Sequence, residues 1–291
     1  MTIQFWQYNR FLFSCQIMDF KADLSHNAAK MFRHWKFILI LAALNCLAFL
    51  AFAQISCSPV KSREPVSKLR DIPPIILWAW ERPENLEFID TEKFGVAFLA
   101  QTLVLENDEV IYRPRRQRMK LRGGTYLIAV TRIETSKPAL SDKQLKEALD
   151  QILMTLERRN VKAIQIDFDA AVSQRGFYRK LLTQLRSKMP KNIPLSITAL
   201  ASFCVGDQWF KDLPIDEAVP MIFRMGADDK NIKAFLASGS DFPEPLCQTS
   251  YGISVDELPA MQFLPNRRLY VFSPREWKSS DLERLLKQFQ P

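Results

Sequence analysis

Ala163-Ile164-Gln165-Ile166-Asp167-Phe168-Asp169 reads as one buried strand that ends in two carboxylates. Side chains alternate across a strand, which puts Gln165, Asp167 and Asp169 on one face and Ile164, Ile166 and Phe168 on the other. An ionised carboxylate in an apolar interior is costly unless it is paired, hydrogen-bonded or reached by water. Two on one face of a core strand therefore mark a candidate site at the strand's C-terminal end, where α/β folds collect their functional groups. The plainer reading is that both Asp residues cap the following helix and pair with arginines.

Outward from this strand the chain alternates between two periods. A helix is expected from Ser141, with Gln144 three residues on as a capping box, and its stripe Leu145, Ala148, Leu149, Ile152, Leu153 and Leu156 runs up to Asn160. A second amphipathic helix spans residues 174–189 and stops at Pro190. Upstream, apolar runs at 75–80, 94–102 and 126–133 read as strands, with a short extra strand at 110–112. Downstream strands are expected at 194–201, 218–223, 251–254 and 269–272, with short helices at 207–212 and 232–237 and a closing helix at 281–289. Such alternation argues a parallel sheet, and the size suits an α/β fold of the (β/α)8 TIM-like barrel type. The barrel is expected to be somewhat degenerate, because some connections are too short for a helix. A doubly wound open sheet is the main alternative, although no glycine-rich nucleotide loop follows any strand.

The barrel domain is assigned to residues 73–291. The two histidines, His26 and His34, fall before it. Ser-His-Asp triads, Cys-His dyads and histidine-based zinc sites are thereby excluded from that domain, and chemistry falls to carboxylates, Lys, Tyr, Cys or Arg. The net charge of +8 comes with acidic residues mixed throughout, unlike the concentrated charge of a nucleic-acid binder, so no nucleic acid is expected.

Between Phe37 and Val60 the chain carries no charged residue; Arg33 and Lys36 precede this run, and Lys61 and Arg63 follow it. That pattern is a signal peptide or membrane anchor at 31–57. Residues 1–30 then look like a mis-called extension, and 58–72 a linker. Cys57 after Ser56 resembles a lipoprotein cleavage box, with Gln54 where Leu is usual. Lipidation at Cys57, cleavage after Ala53, and an uncleaved span of about 20 apolar residues remain the three outcomes. All three place the domain in the cell envelope or beyond, with the first and third tying it to the membrane. Of five cysteines, Cys204 and Cys247 remain in the domain as a candidate disulfide pair.

If the strands close into a barrel, one face collects the residues just past each strand: Glu81 and Arg82, Gln101 and Thr102, Arg132 and Glu134, Asp167 and Asp169, Ser202 and Cys204, Arg224, Asp256 and Glu257, then Arg275, Glu276 and Trp277. Carboxylates and guanidiniums suit sugar hydroxyls, and indoles suit the apolar faces of sugar rings. Trp78, Trp80, Glu81, Gln101, Glu134, Gln165, Arg224, Asp256 and Trp277 are therefore the expected substrate contacts around the catalytic candidates Asp169 and Asp167. The basic run Arg113 to Arg122 puts Arg116, Arg118, Lys120 and Arg122 on one face; a solvated hairpin edge is the favoured reading, polyanion binding the other.

The runs Ile76-Leu77-Trp78-Ala79-Trp80-Glu81, Gly95 to Thr102, Ile166-Asp167-Phe168-Asp169-Ala170, Leu195 to Ala201 and Val219 to Gly226 resemble the bacterial "domain of unknown function 3142" family, for which no activity is established. More distantly, the chain is similar to chitinase-like glycoside hydrolases, whose fourth barrel strand ends in Asp-x-Asp-x-Glu. Gln165, Asp167 and Asp169 occupy those positions here. That resemblance implies a general acid at Asp169 and a role for Asp167 in orienting a substrate acetamido group. Asp169 is one methylene shorter than the usual Glu, and Gln165 cannot share charge with Asp167. The expected protein is thus an exported glycoside-hydrolase-like barrel that binds an envelope or extracellular glycan, with cleavage of that glycan left open. The rival is a non-catalytic envelope lipoprotein that holds a glycan or protein partner. No cofactor or metal is expected; the weaker third reading sets Mg²⁺ or Ca²⁺ on Asp167, Asp169 and Glu134.

Overall fold

The apolar runs become strands, and their order closes a ring. The computed structural model describes residues 67–289 except 208 and 210. Its strands are β1 (Ile75–Ala79), β2 (Glu84–Leu86), β3 (Phe94–Glu106), β4 (Glu109–Pro114), β5 (Met119–Leu121), β6 (Leu127–Glu134), β7 (Val161–Asp167), β8 (Leu195–Leu200), β9 (Glu217–Met221), β10 (Ser250–Ser254) and β11 (Arg268–Phe272). Its α-helices are α1 (Asp142–Met154), α2 (Arg175–Lys188), α3 (Ala201–Val205), α4 (Asp229–Ala237) and α5 (Ser279–Gln288).

Eight strands pair in parallel in the order β1-β11-β10-β9-β8-β7-β6-β3, and β3 returns to β1. This is a closed TIM-like barrel. It is degenerate, as expected, although the places were not foreseen: β2 and β5 pair with each other, and β4, which contains the short strand expected at 110–112, folds back antiparallel on β3, in the places where helices would follow β1 and β3. Among the described residues no helix joins β10 to β11 either.

Two apolar layers hold the ring. Ile76, Trp78, Ala97, Leu99, Ile128, Val130, Ala163, Val219 and Tyr270 fill its interior. Outside, the buried stripe of α1 (Leu145, Ala148, Leu149, Ile152) and that of α2 (Leu181, Leu182, Leu185) cover the sheet. Each such aliphatic side chain stabilises the fold by ~1.5–3 kcal/mol. Ser141 and Gln144 form the capping box at the start of α1. The helix ends at Met154, and a 3-10 turn, Thr155–Glu157, carries the chain to β7. At Gly252 an added Cβ would stand 3.1 Å from the Pro220 carbonyl oxygen and 3.3 Å from the Trp78 ring. Glycine there lets the indole occupy the barrel centre.

The assigned linker, 58–72, ends inside the fold. Leu69 and Ile72 join the interior layer, and the Leu69 carbonyl accepts from Arg268 at 2.9 Å. These contacts close the N-terminal end of the barrel. The apolar leader, Cys57 and the extension at 1–30 lie outside the described residues, as do two positions of the short helix expected at 207–212. Among the described residues no helix is long and apolar enough to cross a membrane. Cys204 and Cys247 form a disulfide with a Cα separation of 6.0 Å, tying α3 to the turn Pro245–Cys247.

Candidate functional site

The inward residues of β7 are Ala163, Gln165 and Asp167, and each plays a different part with depth. Ala163 packs in the interior layer. Gln165 is fully buried; its Oε1 accepts from Trp78 Nε1 at 2.8 Å and its Nε2 donates to Ser196 Oγ at 3.3 Å. Asp167 emerges at the C-terminal end, into a pocket of about 320 Å³ that it shares with Asp169, Arg132, Thr198, Trp78, Trp80, Phe223, Arg224 and Phe272. In the ring order β7 stands opposite β11. The carboxylates therefore face an aromatic wall across the mouth: Phe223 and Phe272 stack with centroids 5.6 Å apart, and Trp80 meets Phe272 edge-on at 6.3 Å.

Asp167 accepts a hydrogen bond from Thr198 Oγ1 at 2.7 Å. Arg132 Nε lies 3.9 Å from its carboxylate and 3.1 Å from Glu134. Burial dominates and pushes the Asp167 carboxyl up to about 6; the charge of Asp169 adds to the rise, while Thr198 and Arg132 oppose it. Asp169 lies two residues past the end of β7, open to solvent on one side. The pocket wall on its other side still holds its carboxyl above the ordinary value, with Arg132 opposing. The two carboxyls, both raised, sit together in the pocket, one deep and hydrogen-bonded, the other at the surface of the cleft.

Of the expected substrate contacts, Trp78, Trp80 and Arg224 line this pocket with the two Asp residues. Glu81, Gln101, Glu134, Gln165, Asp256 and Trp277 do not. The Gln101 amide donates to Thr131 Oγ1 and to the Gln151 carbonyl, both at 3.0 Å. It sits within β3, which runs on to Glu106. Trp277 is buried; its indole donates to the Trp78 carbonyl at 3.0 Å and its backbone N–H to Glu84 at 3.1 Å. Asp256 accepts from the Ser254 hydroxyl and lies 3.8 Å from Arg224. Arg116, Arg118, Lys120 and Arg122 are exposed, as a solvated edge requires. Arg115 between them is not: its guanidinium donates to the carbonyls of Ala79 (3.1 Å), Trp80 and Arg82 (2.6 Å), fixing the end of β1. Among the described residues no group of three or more His, Cys, Asp or Glu side chains could hold a metal ion, so Asp167, Asp169 and Glu134 do not form the ligand set of the third reading.

Thr198, Phe223, Phe272 and Arg132 line the pocket without being among the expected contacts. Period-two alternation could have found three of them. Thr198 is one inward step past Ser196, Phe272 one past Tyr270, and Arg132 one past Val130.

Residues 123–219 match the family described as Domain of unknown function (DUF3142). The match runs from the residues before β6 into the first half of β9; it leaves out the runs at 76–81 and 95–102 and all but the first residue of the run at 219–226. No curated protein sequence matches the chain. Among solved structures, the chain is similar to a family GH18 chitinase from Chromobacterium violaceum, at 9% identity over 69% of this chain and 78% of that one, with a TM-score of 0.45. It is also similar to the spore cortex-lytic enzyme SleL of Bacillus cereus, at 16% identity over 63% of this chain and 51% of that one, with a TM-score of 0.42. The chitinase domain of the spore coat protein CotE from Clostridium difficile gives 13% identity, 65% and 52% coverage, and a TM-score of 0.34. The barrel itself stands on the closed ring of strand pairings and does not depend on these likenesses.

Proposed function

We propose that the open end of the barrel binds a glycan outside the cytoplasm and hydrolyses it with the Asp167–Asp169 pair. One observation carries this reading: two carboxyls, both held above their ordinary values, face an aromatic wall across a single pocket. Flat aromatic faces take the apolar side of a sugar ring, and the carboxyls meet its polar edge. Asp169, at the open side, delivers the proton to the glycosidic oxygen as the bond to carbon breaks. Burial against the pocket wall raises the Asp169 carboxyl and so favours its protonated form, with Arg132 opposing; Asp167, deeper and bonded to Thr198, stands beside it. A glycosidase needs a second carboxyl group near the scissile bond. Asp167 and Asp228 are the other carboxylates lining the pocket.

Hydrolysis of a glycan panel by the wild-type protein and by Asp169→Asn tests this. The expected result is a loss of turnover of ~10²–10⁴-fold, the usual worth of a general acid, with binding retained. Turnover that survives the substitution removes Asp169 from the acid role. Binding by the wild type without turnover establishes the rival, a non-catalytic glycan-binding protein. Export is supported by the Cys204–Cys247 disulfide and the uncharged N-terminal run. Anchoring through Cys57 predicts a mature N-terminus at that residue carrying lipid, read by mass spectrometry; a mature chain beginning at Gln54 would exclude it.

A further inference from the structure

We infer that Arg224 sets the specificity of this site by gripping a carboxylate on the bound sugar, which makes the ligand class acidic, uronate-type glycans. The inference rests on the glycan reading of the pocket and adds the chemistry of the ligand to it.

The backbone is the first observation. Arg224 has φ 52, in the left-handed region. The other non-glycine residues with positive φ among those described are Asn107, Asp108, Asn160, Asp212 and Asn266, all of the two types whose short polar side chains tolerate that conformation. Arginine has no such tolerance. Two residues on, Gly226 takes φ 65, so the same loop uses glycine where conformation alone is at stake. A disfavoured residue at a pocket rim points to a task for its side chain.

The second observation is how that conformation is held. The Arg224 backbone N–H donates to Glu257 Oε2 at 3.1 Å, and Glu257 Oε1 accepts from Lys233 Nζ at 3.0 Å. Lys233 is in turn 2.8 Å from Asp229 at the start of α4. The clamp fixes the main chain and leaves the guanidinium uncommitted. That group lies over the Phe272 ring at 5.1 Å, with 57% of the side chain exposed, and lines the pocket. Among the described residues it donates no hydrogen bond; its ion pair with Asp256 Oδ2 is long, at 3.8 Å, and exposed, and Ser254 bonds the other oxygen of that carboxylate. Arg132, the other guanidinium of the pocket, is taken up by Glu134 at 3.1 Å. Arg224 therefore presents a planar fork of donors over an aromatic ring, and its geometric complement is a carboxylate bound through both oxygens.

The test uses uronate-containing oligosaccharides of two to six sugars, each paired with its carboxyl-reduced counterpart, titrated into the full-length wild type, Arg224→Gln and Arg224→Gly. The wild type should bind the carboxylated member of a pair at least tenfold more tightly. Both substitutions should erase that preference. Arg224→Gly also relaxes the backbone, so its melting temperature should rise by about 2–4 °C, whereas an arginine that merely braces the loop would leave the glycine variant less stable. Equal affinity of the wild type for both members, or a preference that survives Arg224→Gln, overturns the carboxylate grip and leaves the glycan reading intact. Failure of the wild type to bind any oligosaccharide, neutral or acidic, overturns both.

Discussion

Two acids near opposite ends of the barrel, Glu217 and the mostly buried Asp167, are treated in opposite ways. At the N-terminal end Glu217 is fully buried and accepts from Arg268 at 2.7 Å, Tyr270 Oη at 2.7 Å and Thr249 Oγ1 at 3.1 Å. At the C-terminal end Asp167 has one hydrogen bond, from Thr198, and a distant cation at 3.9 Å. A buried charge met by several donors can anchor a fold, while burial with few donors raises the proton affinity of a carboxyl. The same ring of strands thus carries a brace at one end and a proton-holding group at the other. The difference lies in how many donors the neighbouring strands supply.

Truncating the brace should have the largest effect. Glu217→Ala leaves Arg268 charged and unpaired in the interior and the Tyr270 hydroxyl without its acceptor. The expected cost is ~3–5 kcal/mol, a fall in melting temperature of roughly 10 °C or more. Asp167→Asn should go the other way. The folded carboxyl titrates near 6 against 3.8 for the free group. Between those values the folded state holds more protons than the unfolded one, so stability falls as pH rises through the window, and the full cost, up to about 3 kcal/mol, is present above it. Asparagine cannot ionise and can still accept from Thr198. The variant should therefore be more stable than the wild type at pH 7.5, by ~1–3 kcal/mol, and equal to it near pH 4. Thermal melts at the two pH values check this. If Asp167→Asn melts lower than the wild type at pH 7.5, the two ends are the same kind of structure and the contrast fails.

How far this contrast was legible beforehand differs by residue. The alternation in β7 placed both Asp residues in the pocket, because β7 is regular over its inward positions and a period of two is enough. Gln101 obeyed the same rule on paper. Its strand, however, shifts register between Leu99 and Gln101 and runs on to Glu106, and a bulge redirects every side chain beyond it. Trp277 had the right residue type at a strand end, but its indole partner, the Trp78 carbonyl, lies 199 positions away in the chain. Phe223 and Phe272 failed in the reverse sense. An apolar residue closing an apolar run reads as core; alternation from Tyr270 could still have pointed Phe272 inward, but only ring closure shows that Phe223 stands at the rim with it. Closure itself was expected from the alternation of strands and helices, while the replacement of two helices by β2, β4 and β5 left only one short signal at 110–112.

The smallest and sharpest test concerns the donor that Asp167 does have. Thr198→Val keeps the shape of the side chain and removes the hydroxyl 2.7 Å from the carboxylate. That hydroxyl favours the ionised form, against burial and the charge of Asp169. Without it the carboxyl should titrate higher still, by about one pH unit, since a hydrogen bond to a charged group is worth ~1.5–3 kcal/mol before solvent compensates. A ¹³C titration of the Asp167 carboxyl would read the shift directly. In an active protein the limb of the pH–rate profile governed by the pair should move the same way. Stability at pH 4.5, where Asp167 is mostly protonated, should change less than at pH 7.5, because the neutral acid draws less on the missing donor. A titration unmoved by Thr198→Val but moved by Arg132→Gln would assign the charge to the ion pair at 3.9 Å. The mouth would then resemble the Glu217 end in relying on a guanidinium beside its acid.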